Sequence, residues 1–270
     1  MKIIFLDIDG TIIDEKTHKI SNSTINAIKT AKKNGHKIFI NTGRVFCNVN
    51  DDIRSMDFDG YICGCGTEII MKNNGKLETV FHNEFDSKIY TAMKVLVESC
   101  GMNALYEAND TMYFGKQCFE SNDFKRLTEA FSKQGKNISR KSTDEDFHFD
   151  KFVAWYNDKK SNVEKFKDGL KDLEFEFIDR GGDISDMCCE LIPKNCSKAT
   201  GCKYAMDYFG IDKGDSFAIG DSLNDLPMLE AVGTGIAMGN GEPLFKYADY
   251  ITASIENDGI EKAFKNFGII

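Results

Sequence analysis

Proline is scarce in this chain, three in 270 residues, and there is no Gly/Ser-rich stretch or internal repeat. That excludes collagen-like and low-complexity architectures and makes any junction between domains a short connection rather than a flexible tether. A long apolar run is also missing: nothing reaches the ~18 residues that a membrane-spanning helix needs. Positive charge is in deficit, with 34 Lys and Arg against 43 Asp and Glu, a net charge of −9. The global field therefore repels nucleic acid and anionic membranes, and an anionic substrate would have to be met by local positive charge. The nine cysteines include Cys63-Gly-Cys65 and adjacent Cys188-Cys189 but no Cys-x-x-Cys pair. They read as reduced thiols packed in the core of a cytosolic protein rather than as a zinc site. The N-terminus, Met1 to Asp7, places a carboxylate where a secretory signal stays apolar, so the expectation is a soluble, cytoplasmic protein. What is present is an ordinary globular composition, 41% hydrophobic and 29% charged, in a length that suits about two domains at ~150 residues each.

Residues 1–70 alternate between strand and helix patterns. Lys2 to Leu6 is a short apolar run, Ser21 or Ser23 can cap a helix carrying Ile25, Ile28 and Ala31, and Gly35 stops it. Lys37 to Ile40 is a second strand, Arg44 begins a helix-like segment, and Gly60 to Cys63 is a third strand. The rhythm returns from Ser197: a helix to Phe209 closed by Gly210, a strand at Ser216 to Ile219, a helix over Leu223 to Ala231, and a strand at Gly235 to Met238. Repeated βαβ units imply parallel strands with right-handed crossovers. The expected fold class is α/β, a Rossmann-like parallel-sheet core with helices on both faces.

The stretch between these halves reads as an inserted α+β domain. Helices are expected over Asp86 to Cys100, Asp123 to Lys133 and Val163 to Leu173. Hairpin strands flank Asn109-Asp110, and further strands lie at Phe152 to Tyr156, Phe175 to Ile178 and Met187 to Leu191. The expected division is therefore residues 1–81 and 190–270 as a discontinuous core and 82–189 as a cap.

The densest chemistry is Asp7-Ile8-Asp9-Gly10-Thr11 at the end of the first strand. Carboxylates two residues apart on a strand project to one side, and here they stand at its carboxyl end, where open α/β sheets bind ligands. A calcium loop would need Gly and Glu at its sixth and twelfth positions, which hold Ile12 and His18. In isolation the motif also fits a turn whose aspartates satisfy nearby N–H groups. Asn41-Thr42-Gly43-Arg44 follows the second strand and reads either as a phosphate seat at a helix N-terminus or as a helix cap. Ser197-Lys198 opens a later helix with a cation where the macrodipole disfavours one, a mismatch that an anion would relieve; a solvated surface lysine is the alternative. Gly220-Asp221-Ser222-Leu223-Asn224-Asp225 has capping-box spacing, yet a cap does not require Asp221. If these strand ends converge, several carboxylates share one lysine and call for a divalent cation, with Mg²⁺ favoured by an all-oxygen ligand set.

In this order, Asp7-x-Asp9-Gly10-Thr11, Thr42-Gly43-Arg44, Lys198 and Gly220-Asp221-x-x-Asn224-Asp225 resemble the motifs of the haloacid dehalogenase superfamily of phosphatases, in its Cof-type branch with a large α/β cap. Gly64-Cys65-Gly66-Thr67, Ala237-Met238-Gly239-Asn240, and Ala248-Asp249 ahead of Asp258-Gly259 agree further. The resemblance implies Asp7 as nucleophile and Asp9 as general acid and base. It implies Mg²⁺ on Asp7, Asp221 and the main-chain oxygen of Asp9, with Asp225 in support. Thr42, Gly43, Lys198 and Asn224 would hold the phosphoryl oxygens, with Gly10, Thr11 and Arg44 supporting. The implied activity is Mg²⁺-dependent hydrolysis of a small phosphorylated metabolite. A phosphotransferase or mutase similar to phosphomannomutase, and a non-catalytic module that binds a phosphorylated ligand, are the competing readings. In the cap, Arg180 and Asp183 are the candidate contacts to the leaving group.

Overall fold

A computed structural model of the chain describes residues 1–120, 124–125, 128–129, 132, 138–139, 147–156, 161–171, 173–178 and 187–270. Of the helix expected over Asp123 to Lys133, residues 124–125, 128–129 and 132 are described and helical; the rest lies outside the described residues. The chain divides into two compact units. One comprises Met1–Gly43, Asp52–Phe81 and Ser197–Ile270; the other comprises Arg44–Asp51 and His82–Cys196.

The first unit begins with β1 (Ile3–Leu6), α1 (Asn22–Lys33), β2 (Lys37–Asn41), the short α2 (Asp51–Arg54), β3 (Gly60–Cys63), β4 (Glu68–Asn73) and β5 (Lys76–His82). Ser21 caps α1, its hydroxyl accepting from Thr24 N at 3.2 Å, and Ala27, Ile28 and Ala31 form the buried stripe of the helix. The second unit follows with α3 (Ser87–Cys100), β6 (Asn103–Glu107), β7 (Met112–Phe114), β8 (Ile138–Ser139), β9 (Lys151–Trp155), α4 (Val163–Leu170), β10 (Phe175–Phe177) and β11 (Met187–Pro193). The chain then returns to the first unit with α5 (Lys198–Phe209), β12 (Ser216–Gly220), α6 (Leu226–Ala231), β13 (Thr234–Ala237), β14 (Tyr250–Ile251) and α7 (Gly259–Asn266).

The first unit carries an eight-stranded sheet of order β14-β13-β12-β1-β2-β3-β4-β5, parallel from β14 to β3. β1 lies at its centre, with Ile3 opposite both Ser216 and Lys37. Ile3–Leu6 is fully buried, as expected of a strand covered on both faces, and Phe5, Phe39, Ile62, Ala218, Met228 and Leu229 belong to one core. The sequence patterns imply only parallel strands; the sheet is in fact mixed. β4 runs antiparallel to β3, and β5 lies beside it, joined through Asn74-Gly75, both at positive φ (49° and 81°). That is the dipeptide and conformation of a tight hairpin turn.

Among the described residues the second unit carries a six-stranded sheet of order β10-β11-β9-β6-β7-β8. Tyr106, Phe152, Ala154 and Leu191 pack with Tyr90, Met93 and Val97 of α3 and with Phe166 and Leu170 of α4. Leu105, Met112, Phe114 and Cys118 form a second cluster. Lys151 is buried between Glu107 and Glu190, at 3.0 Å from each, so one ammonium ties three neighbouring strands. The α/β core with an inserted helix-and-strand region is thus as the sequence implies. No described helix is long and apolar enough to cross a membrane. Seven of the eight described cysteines are buried.

Candidate active site

The site forms where β1 and β12 end side by side. The Asp7 N–H still donates to Ile219 O at 3.1 Å, so strand pairing carries the Asp7 carboxylate to the sheet edge. Asp221 follows directly after β12. Glycine is required opposite it: Gly10 has φ +76°, and a Cβ there would stand 2.0 Å from Asp221 Oδ2. Ser222 and Asp225 form the expected capping box, and Asp225 Oδ2 accepts from the N–H groups of Asp221 (3.0 Å) and Ser222 (3.1 Å). A single carboxylate oxygen thus ties down the turn that presents Asp221.

Lys198 is the first residue of α5, whose start is held by a reciprocal bond pair: Thr200 N to Ser197 Oγ at 3.0 Å and Ser197 N to Thr200 Oγ1 at 2.9 Å. Gly66 lets the turn after β3 lie against this start, since a Cβ there would fall 2.2 Å from Ser197 O. The lysine is 1% exposed, which rules out the solvated surface alternative. Its Nζ lies 2.6 Å from Asp7 Oδ1 and also bonds Asp225 Oδ1.

Carboxylate oxygens of Asp7, Asp221 and Asp225 lie within 4.8 Å of one another, so three acids face one ammonium. Burial, then the charge of Asp225, pushes the Asp7 carboxyl up to about 7 against the opposing pull of Lys198. Burial, then Asp7 and Asp225, pushes Asp221 up to about 8. For Lys198, burial alone would favour the neutral amine; Asp225 and Asp7 outweigh it and hold the pKa above the ordinary lysine range. The cluster therefore has excess negative charge and a fixed cation. Asp221 Oδ1, a buried acceptor, has no hydrogen-bond donor. An unfilled oxygen beside two further carboxylates, with no nitrogen or sulfur in the set, fits a hard divalent cation such as Mg²⁺.

The remaining expected residues are placed as follows. Asp9 is half-buried and sits in the turn after Asp7, where its charge adds to the rise of the Asp7 pKa, but its carboxylate is outside the three-acid cluster. Thr11 is fully buried and its Oγ1 has no hydrogen-bond partner. Thr42 is buried, its N–H bonded to Ile62 O (2.9 Å) and its carbonyl to Cys65 N (3.0 Å). A Cβ on Gly43 would be 3.3 Å from Cys65 Sγ and 3.9 Å from Asn224 Nδ2, so Gly43 and Asn224 are neighbours. The Arg44 guanidinium bonds Asn48 O at 3.1 Å and Asn50 Oδ1. Arg180 and Asp183 lie outside the described residues.

One expectation is corrected. The helix does not start directly after Gly43; the chain first makes a single 3₁₀ turn, Phe46–Asn48, and α2 begins only at Asp51 and runs for four residues. Val45, Phe46, Asn48, Val49 and Asn50 are all weak helix formers, and the side-chain bonds of Arg44 satisfy the segment locally. Thr42 and Gly43 therefore lack the dipole of a long helix behind them. Two residues that the motif spacing gave no role also reach the site. Asn240 donates to Gly10 O at 2.8 Å and accepts from Ile255 N at 3.0 Å, clamping the turn that carries Asp9. Asn41 donates to Lys198 O at 2.9 Å. The signal for both is a polar amide at or just beyond the end of a buried strand.

A Rossmann-like sheet with an acid cluster and a buried lysine at its carboxyl edge defines a site for phosphoryl-group chemistry, and the family comparison agrees. The haloacid dehalogenase-like hydrolase family matches residues 4–264, so the chain belongs to that family. It is 29% identical over 269 residues to 5-amino-6-(5-phospho-D-ribitylamino)uracil phosphatase YitU of Bacillus subtilis, covering 98% of this chain and 97% of that protein. To phosphoglycolate phosphatase of Methanobrevibacter smithii it is 28% identical over 273 residues, covering 98% and 97%. Among solved structures it is similar to the HAD subclass IIB sugar phosphatase BT4131, with a TM-score of 0.81 and 27% identity over all of both chains.

Proposed function

We propose that this protein is a Cof-type cytoplasmic phosphatase that hydrolyses a small phosphomonoester with the help of Mg²⁺. The observation that carries the reading is the convergence of Asp7, Asp221 and Asp225 on Lys198 at the ends of two adjacent parallel strands. A phosphoryl group brings negative oxygens that need a fixed cation, and the buried lysine supplies one. An Asp7 oxygen bonds to phosphorus as the bond to the leaving oxygen breaks, and Asp9 gives that oxygen a proton. Asp9 then takes a proton from the water whose oxygen displaces Asp7 and releases phosphate. Thr42, Gly43 and Asn224 orient the phosphoryl oxygens beside Lys198. Asp7, Asp221 and the main-chain oxygen of Asp9, supported by Asp225, would hold Mg²⁺, whose charge offsets the negative charge gathered at phosphorus.

The relatives named above act on a ribityl phosphate, a phosphoglycolate and a sugar phosphate, so the shared part is the phosphomonoester and the leaving group varies. Residues 82–189 act as the cap that selects it, with Arg180 and Asp183 as contacts. Phosphate release from a panel of phosphorylated sugars, acids and nucleotide precursors, with Mg²⁺ and with EDTA, tests the reading. Mg²⁺-dependent release from at least one phosphomonoester supports it. Labelled phosphate that stays esterified in the sugar pool throughout turnover would assign a transferase instead.

A further inference from the structure

Asn41 closes β2, a strand whose last four residues are all buried, and it is the one polar side chain among those four. Its amide is fully buried. Nδ2 donates to the main-chain oxygen of Lys198 at 2.9 Å and lies 3.2 Å from the Cys202 thiol one turn along α5. Oδ1 has no hydrogen-bond partner. A buried amide with one end unmet weakens a fold, and an apolar residue of the same shape would serve the strand better. Stability therefore does not account for Asn41, and its bonded end shows what does.

Lysine has a long side chain with four rotatable bonds, and the site requires its Nζ to stay fixed between Asp7 and Asp225. Fixing the Cα is the economical way to do that. The start of α5 is held in sequence by the Ser197 and Thr200 bond pair, and in space by the close approach of Gly66 to Ser197 and of Gly201 to Ile62, where a Cβ would be 2.4 Å from the Ile62 side chain. The Asn41 amide adds a directed bond on Lys198 itself. It comes from the residue directly before Thr42-Gly43, so the strand end that leads to those two residues also grips the backbone of the lysine.

We infer that Asn41 is a positioning residue: through the Lys198 carbonyl it sets where the ammonium stands relative to the phosphoryl oxygens. The inference rests on the reading of Lys198 as a phosphoryl-binding group. Asn41→Leu keeps the branched shape and the number of heavy atoms, removes the donor and also removes the unmet acceptor. The fold is expected to be at least as stable as wild type, while kcat falls about tenfold with KM for the substrate within about threefold. A merely structural role would move stability and activity together.

A double-mutant cycle with Lys198→Ala, read as the inhibition constant of inorganic phosphate and as kcat/KM for an aryl phosphate, makes the test specific. Asn41→Leu is expected to weaken phosphate binding about threefold, and to lower kcat/KM more, when Lys198 is present, and to do neither when it is alanine. If Lys198→Ala alone leaves phosphate binding unchanged, the phosphatase reading of the lysine fails. If Lys198→Ala weakens it but Asn41→Leu has the same effect in both backgrounds, that reading stands and the positioning inference is overturned. Should Asn41→Leu not fold, Asn41→Ala, which cannot overpack the strand end, enters the same cycle with the same two outcomes.

Discussion

Replacing Asp221 by asparagine separates what the acid cluster does for the fold from what it does for a metal. Without a divalent cation, burial of the ionised Asp221 carboxylate opposes folding. The Asp221 carboxyl goes from its ordinary value of 3.8 to about 8, so the folded chain keeps a proton that the unfolded chain releases. Stability from this group is therefore full below pH 4 and is lost as pH rises toward 8. At pH 7 the interval from 3.8, taken at about 1.36 kcal/mol per pH unit, caps the loss at about 4 kcal/mol. Burial is the largest cause and an asparagine is buried too, so the share due to Asp7 and Asp225 is expected to be about 1–2 kcal/mol. At ~2–4 °C per kcal/mol, Asp221→Asn should melt about 2–8 °C above wild type in EDTA at pH 7, with the difference shrinking toward pH 5. Adding Mg²⁺ should raise the wild-type Tm and leave the variant nearly unmoved. Thermal unfolding with EDTA and with Mg²⁺ at pH 5, 6, 7 and 8 is the measurement. An Asp221→Asn protein that is less stable than wild type in EDTA at every pH, or that gains as much from Mg²⁺, would refute the reasoning.

Three further outcomes are expected. Asp7→Asn should abolish Mg²⁺-dependent phosphate release while leaving the circular dichroism spectrum unchanged; substantial turnover by the pure variant removes Asp7 from the nucleophile role. Gly10→Ala should cost about 1–3 kcal/mol and blunt the Mg²⁺ response, because the new Cβ meets Asp221 Oδ2 and the backbone is left-handed there; an unchanged Mg²⁺ titration contradicts this. Lys151→Ala should destabilise the second unit by about 3–5 kcal/mol, since it leaves Glu107 and Glu190 buried without their shared cation, and denaturant unfolding that shows less than 1 kcal/mol would mean that water reaches the pair.

The parts of the fold that the sequence made legible are those in which one physical demand dominates. Ile3–Leu6 and Ser216–Gly220 read as strands because both sheet faces are covered, and Asp7 and Asp221 could be placed because each ends such a run. Asn74-Gly75 carried a hairpin signal as strong as any in the chain, but exposed β5 lacks the apolar alternation that would have framed it. The segment after Gly43 keeps the βαβ order, since β2 and β3 are parallel, but its helix shrinks to a 3₁₀ turn and the four residues of α2. Burial of Lys198 was not readable either. It depends on Asp225 and on glycines at 66 and 201, whose contacts are tertiary. Asn41 and Asn240 show the same limit, since a side-chain amide near a strand end has no period to betray its partner.

The central place of β1 also governs when the protein can begin to work. Lys198 is synthesised 191 positions after Asp7, and β12, the neighbour on which Asp7 is aligned, comes later still. During synthesis the inserted segment, contiguous over His82–Cys196, can close on itself while the first strand waits for its partner. A chain that stops short of Ser216 has Asp7 and Asp9 but neither Asp221 nor the sheet edge that brings them together. Assembly of the acid cluster around Lys198 is thus a late event in translation.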